Sequence, residues 1–242
     1  MTLVLLLLVF PGQRFVNLPT GTMPEPHVWQ VAVSHRFLSA LTAPGWDKDP
    51  LQVFTGANVR VTVDKSLGDR LLVGFADAIS SRVVGLRAAW APLDWLTLYP
   101  ELNAHLYHVT PDSTWLNVGF CFHRAIEERL ALAAMPRYTT NSKHHYVSIG
   151  LAAKTGLGDG YSAALEAEPV LIGRDSTTRQ LAFGIAFDKQ VGWHDFSITL
   201  GAAHEQTAPA LFRSAGEPTA YSDVLDLTKG YFRVGFNLLR KI

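Results

Sequence analysis

Polar residues, several of them ionisable, recur at every second position of segments that are otherwise apolar. In the segment 57–64, Arg60 and Asp64 alternate with valines. Because successive side chains of a strand point to opposite faces, such a segment has one polar and one apolar face. Charges on the polar faces could line a pore and select solutes, or they could pair across a narrow lumen and close it. The charged candidates are Arg60, Arg87, Glu101, Arg137, Glu166, Glu168, Asp188 and Arg233.

Uncharged polar residues fall on the same faces. His105 and His123 are predicted on the inner face of neighbouring strands, with Glu101 and Asn103 nearby. No histidine has the fixed ligand spacing of a metal site, and the adjacent histidines at 144–145 would point to opposite faces. We therefore expect His105, His123 and Asn103 to form hydrogen bonds in the lumen, with no metal and no cofactor.

Catalytic motifs are not apparent in the sequence. A phospholipase acting at the membrane would need serine, histidine and a polar orienting residue on the outer wall, whereas Ser148 and Ser197 fall on the polar face. The sequence has no nucleophile elbow, P-loop or dinucleotide fingerprint. The glycine-rich run at 156–160 joins two strands and is predicted to form a hairpin turn. We expect no enzyme, with an active site on the loops or rim as the alternative.

The elements that would position these residues are strands. Period-two alternation recurs in about twelve segments from residue 27 to the C-terminus, most of them about 9–11 residues long, and no segment sustains a 3.6-residue period. Short turns alternate with connections that are on average longer. This pattern predicts an all-β fold, a closed antiparallel up-and-down transmembrane β-barrel with short periplasmic turns and longer external loops. The residues predicted to face lipid include Val59, Val61, Leu116, Val118, Phe183, Ile185, Val234 and Phe236.

Composition favours a membrane location. Of the 242 residues, 48% are hydrophobic and 17% charged, against about 25% charged in soluble domains. Aromatic residues near strand ends, such as Trp95, Trp115, Tyr138 and Tyr146, are typical of the interface belts of membrane barrels. A soluble lipid-binding β-barrel with its apolar face inward remains the alternative. A net charge of zero without a basic run argues against nucleic acid as a partner.

The N-terminus has the character of an export signal. The run MTLVLLLLVF is too short to span a bilayer and ends at Pro11 and Gly12. We therefore predict a signal peptide at 1–14 and a single barrel domain at 15–242. The alternative is a hydrophobic first strand.

Several motifs resemble a known family. FVNLPTGTMP at 15–24, HRF at 35–37, GANVR at 56–60 and GDRLLVGF at 68–75 are similar to those of bacterial membrane-bound β-barrel domains of unknown function. The resemblance implies a single barrel in the bacterial outer membrane and supplies no catalytic or ligand residues. Membrane lipids and the outer-membrane assembly machinery are the expected partners, and Phe236 is the candidate aromatic signal near the C-terminus.

The two longest connections, 38–56 and 204–230, are predicted to rise side by side when the barrel closes. They contain the candidate recognition residues Trp46, Phe212 and Tyr221. Loops are the parts of a barrel that escape the packing constraints of the wall. The sequence thus favours a structural or small-solute pore protein whose ligand, if it has one, is recognised at the rim.

Overall fold

The computed structural model describes residues 14–16, 18–37, 57–79, 82–106, 113–126, 129–173, 181–201 and 233–242. Twelve strands occupy most of these residues. They are β1 (Trp29–Phe37), β2 (Ala57–Ser66), β3 (Leu71–Ala78), β4 (Val83–Leu93), β5 (Leu96–His105), β6 (Thr114–Ile126), β7 (Leu130–Thr140), β8 (His145–Gly158), β9 (Tyr161–Ile172), β10 (Leu181–Val191), β11 (His194–Gly201) and β12 (Arg233–Lys241). In this part of the chain, no helix is long and apolar enough to cross a membrane.

The sheet closes on itself. Each strand pairs antiparallel with its sequence neighbours, and β1 pairs with β12 from Gln30 opposite Lys241 to Arg36 opposite Gly235. Closure satisfies the edge hydrogen bonds that an open sheet would expose, which a bilayer requires. The predicted closed, antiparallel, twelve-stranded barrel is confirmed.

Alternation along each strand sorts the side chains between the two faces of the wall. In β8, Tyr146, Ser148 and Lys154 are buried, whereas Leu151 between them is exposed. The outward residues are large and apolar, and Leu86 and Ile198 expose 63% and 65% of their surface. A soluble protein does not expose so much contiguous apolar surface. The soluble alternative with an apolar interior face does not describe this barrel.

The turn between β8 and β9 contains the glycine-rich run. Gly158, Asp159 and Gly160 all have positive φ, at 91°, 49° and 74°. Glycine adopts this left-handed region without steric cost, and aspartate tolerates it better than most residues. The run therefore reverses the chain tightly, as the sequence predicts.

Two of the aromatic residues assigned to the lipid interface lie inside the barrel instead. Trp115 and Tyr146 are 6% and 1% exposed, and their rings stack with centroids 5.9 Å apart. His144 stacks on both of them. Trp95 and Tyr138, by contrast, are exposed on the outer surface. The interface prediction is wrong for Trp115 and Tyr146, because both occupy inward positions of their strands.

Candidate functional site

The inner wall carries ion pairs that join strands which are not neighbours. Every pair skips at least one strand, so its side chains cross over the inner surface of the sheet. Two pairs lie among β2, β4 and β5, and two among β7–β10. They are Arg60 with Glu101, Arg87 with Asp64, Arg137 with Glu168 and Lys154 with Asp188.

In the first group, the carboxylates of Asp64 and Glu101 face two arginines. The Nε of Arg87 donates to Asp64 Oδ1 at 2.7 Å, and Arg60 donates to Glu101. The strand β3 lies between β2 and β4, and its Gly74 leaves space for the pair of Arg87 with Asp64. A Cβ at Gly74 would lie 1.8 Å from Asp64 Oδ1. The glycine is therefore required by the close approach of a side chain rather than by its own backbone conformation.

The second group uses hydroxyls from the intervening strand. Arg137 Nη1 lies 3.3 Å from Glu168 Oε2, and Ser148 Oγ donates to Glu168 Oε1 at 2.7 Å. Lys154 Nζ lies 2.8 Å from Asp188 Oδ2, which also accepts a hydrogen bond from Ser162 Oγ at 3.3 Å. Buried charges are stable only when they are paired and their remaining lone pairs are satisfied, and these serines and carboxylates meet that requirement in part.

A segment preceding β1 occupies the interior of the barrel. Residues 14–16 and 18–22, here called the lumen hairpin, reverse direction through a hydrogen bond from Phe15 N to Leu18 O at 2.8 Å. Arg14 and Pro19 form a bridge across this turn. Glu166 Oε2, at the middle of β9, accepts hydrogen bonds from Val16 N at 3.0 Å and Leu18 N at 2.9 Å. The hairpin is thus anchored to the wall by a carboxylate that the sequence analysis placed in the charge network.

The tip of the lumen hairpin is apolar and packs on small side chains. Phe15, Val16 and Leu18 are almost completely buried. A Cβ at Gly150 would lie 2.7 Å from Leu18 Cδ1, and a Cβ at Gly184 would lie 2.8 Å from Val16 Cγ1. The wall residues of this apolar cluster are Cys121, Ala131, Ala133, Met135, Ala152, Ala164 and Ala186. Close packing of this kind excludes water from the part of the lumen that the tip fills.

A cavity remains beside the hairpin, lined mainly by β1–β5 and also by Met135 and Arg137 of β7. It offers about 100 Å³ of space for water-sized molecules and is bounded by Arg14, Gln30, Thr62 and the first group of ion pairs. Arg14 interacts electrostatically with Arg87 and Arg60 and with the carboxylates of Asp64 and Glu101. The hairpin therefore brings a cation into a part of the lumen that already holds two arginines.

The predicted polar residues do not form one cluster. Asn103 is buried on β5, and His105 lies at the end of that strand next to a long connection. His123 lies at the opposite end of the barrel, where its backbone N bonds to Trp95 O and its ring lies 3.4 Å from Thr97 Oγ1. The expectation that both histidines lie near Glu101 and Asn103 is wrong, because β5 and β6 run antiparallel. The described residues form no group of three or more potential metal ligands.

Other predicted positions lie outside the description. Arg233 is the first residue of β12 and pairs with Gly201. The side chain of Arg233 is not described. Trp46, Phe212 and Tyr221 lie outside the described residues, as do residues 1–13 of the expected signal peptide. Sequence reasoning did not place Lys154 in the charge network and assigned Arg14 to the signal peptide. The inward position of Lys154 could have been predicted, because it lies an even number of positions from Ser148 and Ala152, which point inward on the same strand.

The sequence of the second half of the chain identifies the family. Residues 117–242 match the family described as membrane bound beta barrel domain (DUF5777). The protein belongs to this family. The matched residues form strands β6–β12, whereas the motifs that carried the resemblance lie between residues 15 and 75. The sequence matches no curated protein.

Several solved structures are similar to this chain at low sequence identity. NanC porin has a TM-score of 0.51 and 10% identity, with 87% of this chain and 97% of that chain covered. LpxR from Salmonella typhimurium has a TM-score of 0.42 and 10% identity, with 88% and 99% covered. A mutant of Rh. blastica porin has a TM-score of 0.41 and 11% identity, with 76% of this chain covered. This chain spans 55% of that porin's length. The NanC comparison supports the fold alone.

Proposed function

We propose that this protein is a barrel of the bacterial outer membrane that passes small polar solutes, and that its lumen hairpin restricts the passage. The observation that carries the proposal is a cavity lined by charged side chains beside a segment that packs inside the lumen and is not a strand of the wall. The family description supports the membrane location.

The composition of the lumen favours a passage over a purely structural interior. Replacing buried ion pairs by well-packed apolar side chains is often neutral or stabilising, so ion pairs are a poor way to build a stable core. Here four such pairs join described residues of the inner wall. Charged and polar walls are what a water-filled channel requires.

The hairpin is suited to controlled release because its attachment is local. Its tip depends on apolar contacts and on the two hydrogen bonds to Glu166, and further along the hairpin Gly21 O accepts a hydrogen bond from Thr97 Oγ1 at 2.8 Å. None of these contacts is a ladder hydrogen bond between wall strands. The hairpin can therefore leave while the wall stays closed.

A membrane-embedded enzyme receives less support. Ser148 and Ser197, the serines weighed for a nucleophile, occupy inner-face positions, and Ser148 Oγ donates to Glu168 rather than to a histidine. An arrangement of serine, histidine and carboxylate is the minimum for the acyl chemistry considered. The proposal therefore assigns no catalytic step.

The test is conductance in planar bilayers with the hairpin fixed or removed. The ideal Cβ of Gly184 lies 3.2 Å from Val16 Cβ, shorter than the about 3.5–4.5 Å of a disulfide, so a small outward shift of the hairpin would allow the bond. Val16→Cys with Gly184→Cys, in a Cys121→Ser background, should lock the hairpin when oxidised and silence conductance. Reduction should restore the level of Val16→Cys alone, which is the matched control.

Removal of residues 1–24 from the refolded chain should raise conductance above that of the full chain. If the shortened barrel folds and still conducts nothing, the protein is a structural barrel and the proposed passage does not exist. If the locked and reduced forms conduct equally, the passage does not run past the hairpin.

A further inference from the structure

The cavity beside the lumen hairpin holds more cationic than anionic groups. Its charged lining residues are Arg14, Arg60, Arg87, Arg137, Asp64 and Glu101. Glu168, outside the lining, pairs with Arg137. Among the described residues, the four guanidinium groups are therefore matched by three carboxylates, two in the lining and that of Glu168 behind Arg137.

Arg14 is the surplus cation. Its guanidinium makes no ion pair or hydrogen bond in the described part of the chain, although it interacts electrostatically with Arg87, Arg60, Asp64 and Glu101. The three carboxylates each have an arginine partner on the wall. A guanidinium carries five N–H donors and no acceptor, so Arg14 presents an unmatched set of donors to the cavity.

Further donors of the lining lack protein partners. Gln30 Nε2, Thr62 Oγ1 and Arg137 Nε are buried without a hydrogen-bond acceptor among the described residues. These three side chains are 2%, 3% and 6% exposed, and all three bound the cavity. Buried donors are costly when unmatched, so a group with several acceptor atoms and a negative charge fits this site.

We propose that the cavity binds one small oxyanion, a phosphate or a short carboxylate, between Arg14 of the hairpin and Gln30, Thr62 and Arg137 of the wall. The available 100 Å³ exceeds the about 10–15 Å³ that one water needs, which leaves room for a small polyatomic ion. Bound there, the anion links the hairpin to the wall. The site does not depend on conduction, so it can exist whether or not the proposed passage does.

The test uses the full chain refolded in detergent and titrated calorimetrically with inorganic phosphate and with acetate at low chloride. Arg14→Ala should weaken phosphate binding at least about tenfold, because the site loses its unmatched charge. Arg14→Lys should retain part of the affinity, since it keeps the charge and loses the fork geometry. The matched control is Arg70→Ala, which removes an exposed arginine outside the lumen.

Three results would overturn the proposal. The first is that the full chain binds neither phosphate nor acetate, which would mean that water alone occupies the cavity. The second is that Arg14→Ala binds phosphate as tightly as the control Arg70→Ala and the unmodified chain do. The third is a mass, measured on protein extracted from the membrane, showing that residue 14 has been removed. Binding without conductance would support the site and count against the passage alone.

Discussion

The two halves of the inner wall differ in chemistry. On β2–β5, the inward positions hold arginines and carboxylates, represented by Arg60, Arg87 and Glu101. On β7–β10, small residues such as Ala131, Ala152 and Gly184 share the inner face with the second group of charges. The same rule of alternation produces both halves, so their difference comes only from which residues occupy the inward positions.

This difference explains where the lumen hairpin lies. Small inward side chains leave a hollow that would expose apolar surface, and Phe15, Val16 and Leu18 fill it. In the described residues both halves hold two ion pairs, so charge alone does not place the tip. On β2–β5, apolar side chains packed against Arg60 and Glu101 would desolvate these ions, which costs several kcal/mol per ion. The hairpin tip therefore packs on the small residues of β7–β10, and the cavity lies mainly along β1–β5, with Met135 and Arg137 of β7 also in its lining.

The largest expected effect lies in the ion pair of Arg60 with Glu101, between β2 and β5. Glu101→Ala leaves Arg60 buried without its partner and should lower the free energy of unfolding by about 3–5 kcal/mol. Urea titration in lipid vesicles measures this loss. Glu101→Gln, which retains an acceptor for Arg60, should cost less and serves as the control. Unfolding of Glu101→Ala at the same urea concentration as the unmodified barrel would show that this pair does not stabilise the barrel.

A second effect tests the outer surface of the same wall. Val118 alternates with the buried Asn117 and faces outward on β6. Val118→Arg should destabilise the barrel by about 2–4 kcal/mol if the position lies near the midplane of the bilayer. Val118→Leu, the apolar control, should cost much less. The measurement is again unfolding in vesicles, and equal stability of the two variants would mean that position 118 does not face hydrocarbon.

The fold could be predicted from the sequence because alternation persists in almost every strand. Alternation would also have corrected the prediction that Trp115 and Tyr146 lie at the lipid interface. Each is two residues from an inward polar residue, Asn117 or Ser148, and therefore points to the same face. Residue type alone misled, because tryptophan and tyrosine near a strand end suit either face.

The lumen hairpin could not be predicted in the same way. Its apolar part is three side chains long and has no periodicity. The wall surface that receives the hairpin also could not be recognised from hydrophobicity, because β7 carries alanines on both its inner and its outer face. The available signal was the occurrence of Ala131, Ala133 and Met135 at inward positions of a lumen expected to be polar.

A smaller effect tests the half of the wall that receives the hairpin. Gly184→Leu places a side chain where Val16 lies, and overpacking of this kind costs about 1–3 kcal/mol. Because the hairpin is not part of the sheet, we expect it to leave the wall, so limited proteolysis should cleave the N-terminal segment faster. Gly192→Leu tests the same exchange in a turn without nearby atoms, although its positive φ adds strain there. Equal protection of residues 14–22 in the unmodified and Gly184→Leu barrels would contradict the contact.

The smallest effect is expected outside the lumen. Arg70 Nη2 lies 3.2 Å from Asp94 Oδ1 at the turn end of the barrel, and both side chains are exposed. Water screens such a pair, so Arg70→Ala should change the free energy of unfolding by less than about 0.5 kcal/mol. This pair resembles Arg60 with Glu101 in chemistry and differs from it chiefly in burial, although Arg70 Nη1 also donates to Pro92 O at 2.6 Å. If Arg70→Ala destabilises as much as Glu101→Ala in the same vesicles, burial does not distinguish the charges of the inner wall from those of the surface.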